Sequence, residues 1–457
     1  MSDTLFSQMP TVQGMRSQLA LRTRGDKYIW AIVVLLALIS VLVVYSATGS
    51  LAYKMNKGNN EIYLFKQLAF MLVGLVFIYF LHRVNYSIYI RIAWILFLTA
   101  IPFLIYTYFF GAKINEGSRW VKLPIINMTV QTSDYARLAL FMYISRVLSR
   151  KQEVIKDFKQ GYLPVIIPVA IICMLIAPAN LSTALLTGAT SLLLMFIGRV
   201  STKHILLTIL IAAIPVGLLI SVAVLTHNKT KQDTETVTET EKKGKYEGMG
   251  RVGTWVKRVQ DFIYLKNDEM PYQVQQSKIA IANGGIIVGL GPGNSRQRNF
   301  LPHCYSDFIF AIIIEEYGLL GGAFIMFVYL VFLFRGIRIF RKCPYAFGAF
   351  LALGLSFTLV IQALANMAVS VNIVPVTGVT LPLVSMGGSS FLFTCMSIGI
   401  ILSVARNVEI TEGKAEPESV LNEPAAQTQD NVAAVSSDNV INTGNKVTAS
   451  ASPIPNK

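Results

Sequence analysis

The residues best able to do chemistry lie in one stretch, Leu301 to Gly318, which reads L-P-H-C-Y-S-D-F-I-F-A-I-I-I-E-E-Y-G. A polar segment ends at Pro302, and an apolar helix is predicted from Ser306. Asp307 stands at that junction, while Glu315 and Glu316 stand inside the apolar run. A carboxylate placed where water can reach it can take a proton from a reacting hydroxyl. At a rise of ~1.5 Å per residue, Glu315 falls about 12 Å further along the helix than Asp307. An acid at mid-bilayer costs about 2.5–3.5 kcal/mol on insertion scales, so such a residue faces a cavity or a partner. For Glu315 and Glu316 the structural reading, pairing with charges inside a bundle, outweighs a chemical one. For Asp307 the balance reverses, because water, headgroups and a polar loop meet where it sits.

The chain that must position these groups is apolar. Of its 457 residues, 53% are hydrophobic and only 14% are charged, and its mean hydropathy is positive. That composition excludes an ordinary soluble protein and predicts an all-α polytopic membrane protein. The net charge of +15 needs no nucleic acid to explain it, because Lys and Arg gather in cytoplasmic loops and set orientation. Cys173, Cys304, Cys343 and Cys395 form no C-x-x-C pair and imply no disulfide framework.

Ten membrane-spanning helices are predicted, at 28–47, 64–81, 88–110, 134–145, 163–177, 184–196, 205–225, 306–334, 346–369 and 390–404. No cleavage site follows the first, so it is expected to be a retained helix rather than a signal peptide. Residues 1–27 carry Arg16, Arg22, Arg24 and Lys27 and are read as a cytoplasmic tail. Arg146, Arg150, Lys151, Arg335 and Arg338 mark further inner loops, and ten spans put both ends inside. The long segment 227–305 then lies outside. Its apolar residues at Val252, Trp255, Val256, Val259, Phe262 and Ile263 predict a helix on the membrane surface over 250–264. The glycines that follow favour close backbone approach. The nearly uncharged Pro- and Gly-containing loop after the ninth span suits a buried or re-entrant segment. The tail 407–457 is polar and is read as disordered and cytoplasmic.

Three motifs, in order, resemble those of the SEDS family (shape, elongation, division and sporulation). Leu301-Pro302, Ser306-Asp307-Phe308-Ile309-Phe310 and Glu315-Glu316-Tyr317-Gly318 are similar to L-P-E-x-x-T-D-F-I-F-A-x-x-x-E-E-x-G. Residues 378–390, G-V-T-L-P-L-V-S-M-G-G-S-S, are similar to G-x-x-L-P-x-x-S-Y-G-G-S-S. Arg119-Trp120 and Gln131-Thr132-Ser133-Asp134 are similar to R-W and Q-P-S-E. The resemblance covers 28–406, and Thr380, where elongation-type members tend to have proline, favours the division-type FtsW branch over RodA. Departures are His303 for Glu, Tyr305 for His, Ser306 for Thr, Asn180 for Asp, Arg137 for Lys and Met386 for Tyr.

The resemblance implies a peptidoglycan glycosyltransferase that polymerises lipid II on the outer face of the bacterial inner membrane, at the division septum. It implies that Asp307 is the general base, which suits an acid at headgroup depth where a lipid-linked sugar would lie. The leaving diphosphate needs positive charge or a metal. Arg119, Lys122, Arg137, Arg251, Arg258, Lys278, Arg296 and Arg298 are the outer cations, and Arg119 has the best case because it falls in a motif. Trp120, Gln131, Ser389 and Ser390 are candidate substrate contacts, with capping of the tenth helix the plainer role for the serines. Asp134 and Arg137, three apart on the fourth span, read as a buried ion pair within a charge network that includes Glu315 and Glu316. No metal ligands are assigned, although a divalent cation, Mg2+ or Mn2+, could assist the diphosphate. The expected partners are lipid II, a class B penicillin-binding transpeptidase and other division proteins, with no nucleic acid. Two other readings stand beside this one. A flippase or transporter would also show intramembrane acids and loops broken by Gly and Pro, and a non-catalytic scaffold would use its basic loops and tail for docking.

Overall fold

The computed structural model describes residues 25–49, 61–114, 117–122, 129–232, 250–264 and 270–421. The predicted tail residues Arg16, Arg22 and Arg24, and most of the tail beyond Asn407, lie outside the described residues. The chain is an all-α polytopic membrane protein. Its helices are α1 (Lys27–Ala47), α2 (Glu61–Arg83), α3 (Tyr86–Phe110), α4 (Thr132–Arg150), α5 (Leu163–Ile176), α6 (Leu181–Ile197), α7 (Thr202–Gln232), α8 (Gly250–Tyr264), α9 (Tyr272–Gly284), α10 (Ile309–Lys342), α11 (Ala346–Ser370) and α12 (Ser389–Leu421). Among the described residues, 8 helices are long and apolar enough to cross a membrane. Of the ten predicted spans, those at α4 and α6 fall outside this set. α4 carries Asp134, Arg137, Arg146 and Arg150, and α6 has only 17 residues. Both are nonetheless packed in the bundle, α4 against α3 and α11 and α6 against α5 and α11. α11 and α12 form its centre, with 83% and 72% of their apolar windows buried, whereas only 6% of the α7 window is buried.

α1 runs along α10 and is fixed to it at both ends. Asp26 caps α1, accepting from the Tyr28 amide (2.9 Å), and pairs with Arg335 near the far end of α10 (2.5 Å). At the other end of α1, Ser46 donates to the Glu316 carboxylate.

Four features differ from the predicted outline. The outer segment 111–133 contains an antiparallel sheet, β1 (Ala112–Ile114), β2 (Gly117–Lys122) and β3 (Thr129–Gln131), in that order. The glycine-containing stretch after α8 holds a helix, α9, packed on α10. The eighth predicted span is not continuous: α10 breaks at Gly318 (φ 74, ψ 178), a conformation that glycine adopts without strain. The helix of the tenth span also continues past Asn407, to Leu421.

The helix break would leave amides and carbonyls unpaired, which an apolar environment penalises. Residues 285–291 pair with them. The Leu290 and Gly291 amides donate to the Glu315 and Glu316 carbonyls (2.9 and 3.0 Å), and the Leu319 and Leu320 amides donate to the Gly285 and Ile286 carbonyls (3.1 and 3.2 Å). The approach is so close that a Cβ on Gly284 or Gly289 would overlap the α10 backbone at Ile314 or Glu316. The expected close backbone approach therefore has a definite purpose: these residues splint a broken helix.

Candidate active site

Asp307 lies in a turn, not in the helix that was predicted to begin at Ser306. His303, in the left-handed region (φ 56), accepts from the Ser306 and Asp307 amides (both 3.1 Å), and α10 starts only at Ile309. Phe308, 1% exposed, is buried with Ala47, Ala280, Leu301 and Cys304 and fixes the turn from below. The Cys304 thiol donates to the Ala47 carbonyl (3.3 Å). Asp307 itself remains partly exposed.

The end of α11 and the loop between α11 and α12 together fasten three successive carbonyls of this turn. The Met386 amide donates to Tyr305 (3.0 Å), the Ser385 hydroxyl to Ser306 (2.6 Å), and Asn366 Nδ2 to Asp307 (2.7 Å). Beside the carboxylate, burial first, and then the neighbouring Cys304 and Asp307, push the Tyr305 phenol above its ordinary range. Tyr305 therefore stays a protonated hydroxyl at neutral pH.

A second group forms where α4 and α12 begin. Trp120 lies opposite Gln131 across β2 and β3. The Gln131 amide donates to Ser389 Oγ (3.0 Å), and its side chain donates to Ser133 (3.0 Å). Ser390 lies beside the Asp134 carboxylate, and Asp134 pairs with Arg137 (3.3 Å). This pair is buried, with Asp134 at 4% and Arg137 at 8% exposure. Trp120, Gln131, Ser389, Ser390, Asp134 and Arg137 are thus brought together. The loop that ends in Ser389 also carries the Ser385 and Met386 that grip the Asp307 turn. Arg119 shares β2 with Trp120, but its side chain lies outside the described set.

Glu315 and Glu316 belong to neither group. Glu315, fully buried, accepts from Ser295 Oγ (2.5 Å) and from the Arg296 and Gln297 amides (both 3.2 Å), so it caps the 3-10 turn Gln297–Asn299. Glu316 bonds Ser46, with Arg298 supplying positive charge beside it. Arg298 also donates to the Gly293 carbonyl (2.8 Å). Arg258 on α8 donates to the Val376 carbonyl (3.1 Å), and Lys278 lies against Met270 Sδ (3.2 Å). Among the described residues, no three or more His, Cys, Asp or Glu side chains form a group able to hold a metal ion.

The sequence reading missed Asn366 and Ser385 as parts of this site. The signal for Asn366 was available, since a carboxamide inside the apolar run 346–369 needs a polar partner. Ser385 lay inside a motif whose assigned residues were its last two serines.

The family described as "Cell cycle protein", which groups FtsW, RodA and SpoVE, matches residues 26–410. The chain is 29% identical to stage V sporulation protein E of Bacillus subtilis, over 84% of this chain and 98% of that protein. It is 30% identical to the probable peptidoglycan glycosyltransferase FtsW of Geobacter metallireducens, over 85% of this chain and 96% of the relative. Among solved structures, the rod shape determining protein RodA of Thermus thermophilus superposes with a TM-score of 0.58 at 18% identity, covering 84% of this chain and 97% of that one. A chain of a peptidoglycan synthase complex superposes with a TM-score of 0.60 at 22% identity, covering 84% and 98%. With the match extending from the cap of α1 into α12, across the Asp307 turn and the Gln131–Ser389 contact, the chain belongs to the FtsW/RodA/SpoVE family of cell cycle proteins.

Proposed function

We propose that the chain is a peptidoglycan glycosyltransferase that polymerises lipid II into glycan strands on the outer face of the cytoplasmic membrane during cell division. Asp307 is the general base. The observation that carries this reading is how Asp307 is held: its turn is fixed through backbone carbonyls, and its carboxylate sits on a partly exposed turn beside a protonated Tyr305. A sugar hydroxyl is a poor nucleophile at neutral pH. Asp307 takes its proton as the oxygen attacks the anomeric carbon of the second sugar. The anomeric C–O bond breaks, the lipid diphosphate leaves with the electron pair, and the proton passes from Asp307 to water. Trp120, Gln131, Ser389 and Ser390 contact substrate at the neighbouring group. A divalent cation, Mg2+ or Mn2+, would offset the diphosphate charge. The septal location and the class B penicillin-binding transpeptidase partner follow from the family resemblance, and the partner is supported by a similar chain solved in a peptidoglycan synthase complex that coordinates polymerization and crosslinking.

The transporter reading drew on Glu315, Glu316 and loops broken by Gly and Pro. Glu315 is bonded by Asn283 and residues 295–297, Glu316 is bonded by Ser46 of α1, and the Gly-containing residues 285–291 pair with the backbone of α10, so each of these features has a structural role.

The test uses purified protein with its transpeptidase partner, labelled lipid II and a divalent cation. Wild type should make glycan chains, and Asp307→Asn should lose about 10²–10⁴-fold in rate while binding its partner normally. Normal polymerisation by Asp307→Asn would show that the base lies elsewhere. No chains from either, in an assay where a known polymerase works, would favour the flippase or the scaffold.

A further inference from the structure

We infer that Asn366 and Ser385 are positioning residues for the reaction: together they hold the two backbone carbonyls that set where the Asp307 carboxylate stands. This rests on the proposed role of Asp307.

Asn366 is fully buried in the centre of the bundle. Its Nδ2 donates to two carbonyls, those of Asp307 and Val379, each at 2.7 Å. Carbonyl oxygens only accept, so the amide must turn its NH2 toward both, and its orientation is settled by its partners. Its Oδ1 is then aimed elsewhere, buried, with no hydrogen-bond partner among the described residues. A leucine would fill nearly the same space but would leave both carbonyls without this donor. The carboxamide therefore serves as a bridge between the Asp307 turn and the loop after α11. Gln362, one turn earlier, shows the contrast. It reaches only that loop, donating to the Thr380 carbonyl (2.9 Å).

Ser385 works from the other side. Its hydroxyl accepts from the Leu381 amide (2.9 Å) and donates to the Ser306 carbonyl (2.6 Å). The turn that presents it contains Leu383 in the left-handed region (φ 63), a conformation costly for leucine. The same loop runs on into Ser389 and Ser390, so the clamp that locates the base is continuous with the substrate-contact group. A general base must sit within hydrogen-bond reach of the hydroxyl it deprotonates, and a displacement of about 1 Å can cost about 10²-fold in rate. Neither side chain need touch substrate to matter.

The test measures kcat and KM separately for Asn366→Leu and Ser385→Ala, with the transpeptidase partner present. Ser356→Ala serves as control, being a buried serine on α11 that bonds only its own helix (2.7 Å to the Ala352 carbonyl). Asp307→Asn is run alongside. Asn366→Leu is expected to lower kcat about 10²-fold with KM changed less than about twofold, because the clamp acts on the reacting geometry and not on substrate capture. Ser385→Ala, which removes one of two holds, is expected to lose about tenfold. The acid limb of the pH–rate profile should move in both variants and stay in place in the control, which a purely structural role would not produce. If Asp307→Asn is inactive while both variants keep wild-type kcat, this inference falls and the polymerase reading stands. If Asp307→Asn is active, the polymerase assignment of the base falls first. If both variants fail to fold or to bind the partner, the residues hold the bundle rather than the base, and the inference is overturned.

Discussion

Three carboxylates occur within ten residues of each other, and the protein treats them in opposite ways. Glu315 and Glu316 are held by their side chains. Each oxygen of Glu315 faces donors from the loop 283–298, and Glu316 is bonded to α1. Asp307 is held by its backbone: its amide donates to His303 and its carbonyl accepts from Asn366. The difference divides the labour of one sequence motif. A carboxylate whose two oxygens are both met by amide and hydroxyl donors, as in Glu315, is a structural anchor. A carboxylate whose position is set through the main chain can change protonation without dismantling its support. The two regions meet in the eight residues from Phe308 to Glu315, so a rigid short helix carries the anchor at one end and the base at the other.

The largest effect that can break this comparison is the exchange of outcomes between Asp307→Asn and Glu315→Gln. The first should lose about 10²–10⁴-fold in polymerisation and keep its melting temperature. The second should do the reverse. Glu315 is fully buried, and its charge is matched by amide donors. Replacing it with a neutral amide turns an NH2 toward those donors, at a cost of about 1–3 kcal/mol, read as a lower melting temperature of the detergent-solubilised complex. A Glu315→Gln protein that melts normally but makes no glycan would place chemistry where the structure shows an anchor.

Next in size is the ion pair of the second group. Arg137→Leu leaves Asp134 charged and buried, which costs about 3–5 kcal/mol. Asp134→Asn combined with Arg137→Leu removes both charges and should recover much of that loss. The coupling, read in a double-mutant cycle of thermal stability, sharpens the distinction between residues that hold the site and residues that act in it.

The sequence made the chemistry more legible than the architecture. Asp307 could be singled out because composition changes abruptly at Pro302, and Asp134–Arg137 could be paired because three residues bring side chains onto one helix face. The break at Gly318 was not legible. A glycine in an apolar run is compatible with a continuous helix, and only the backbone of residues 285–291, some thirty positions earlier, makes the break affordable. The sheet at 112–131 was hidden for a similar reason, since strands of 3, 6 and 3 residues carry too little alternation to stand out from a loop. α4 shows a third kind of difficulty. Its span was predicted too short, at 134–145, because Arg146 and Arg150 end the apolar pattern, while its other charges, Asp134 and Arg137, are buried in a bundle where α3 and α11 pack on α4.

The smallest effect concerns Asp261 on α8, a carboxylate in neither region. Burial is the main influence on it and raises its pKa, while Lys257, one turn earlier, partly offsets this. Its proton is therefore held more tightly in the folded protein than in the unfolded chain, where the ordinary value is 3.8. Below that value both states are protonated and Asp261 costs nothing. As pH rises through 3.8 toward the folded pKa, the unfolded state ionises first and stability falls; above the folded pKa the loss is complete and constant. Asp261→Asn should therefore raise the melting temperature at pH 7 by about 1–2 °C and leave it unchanged at pH 3.5. Lys257→Gln should lower it at pH 7, because burial then acts unopposed. Glu315→Gln is expected to have the opposite sign at neutral pH. Burial alone makes an acid a burden, and burial with donors makes it an anchor, so a shared sign for Asp261→Asn and Glu315→Gln would mean that the donors around Glu315 contribute far less than their geometry implies.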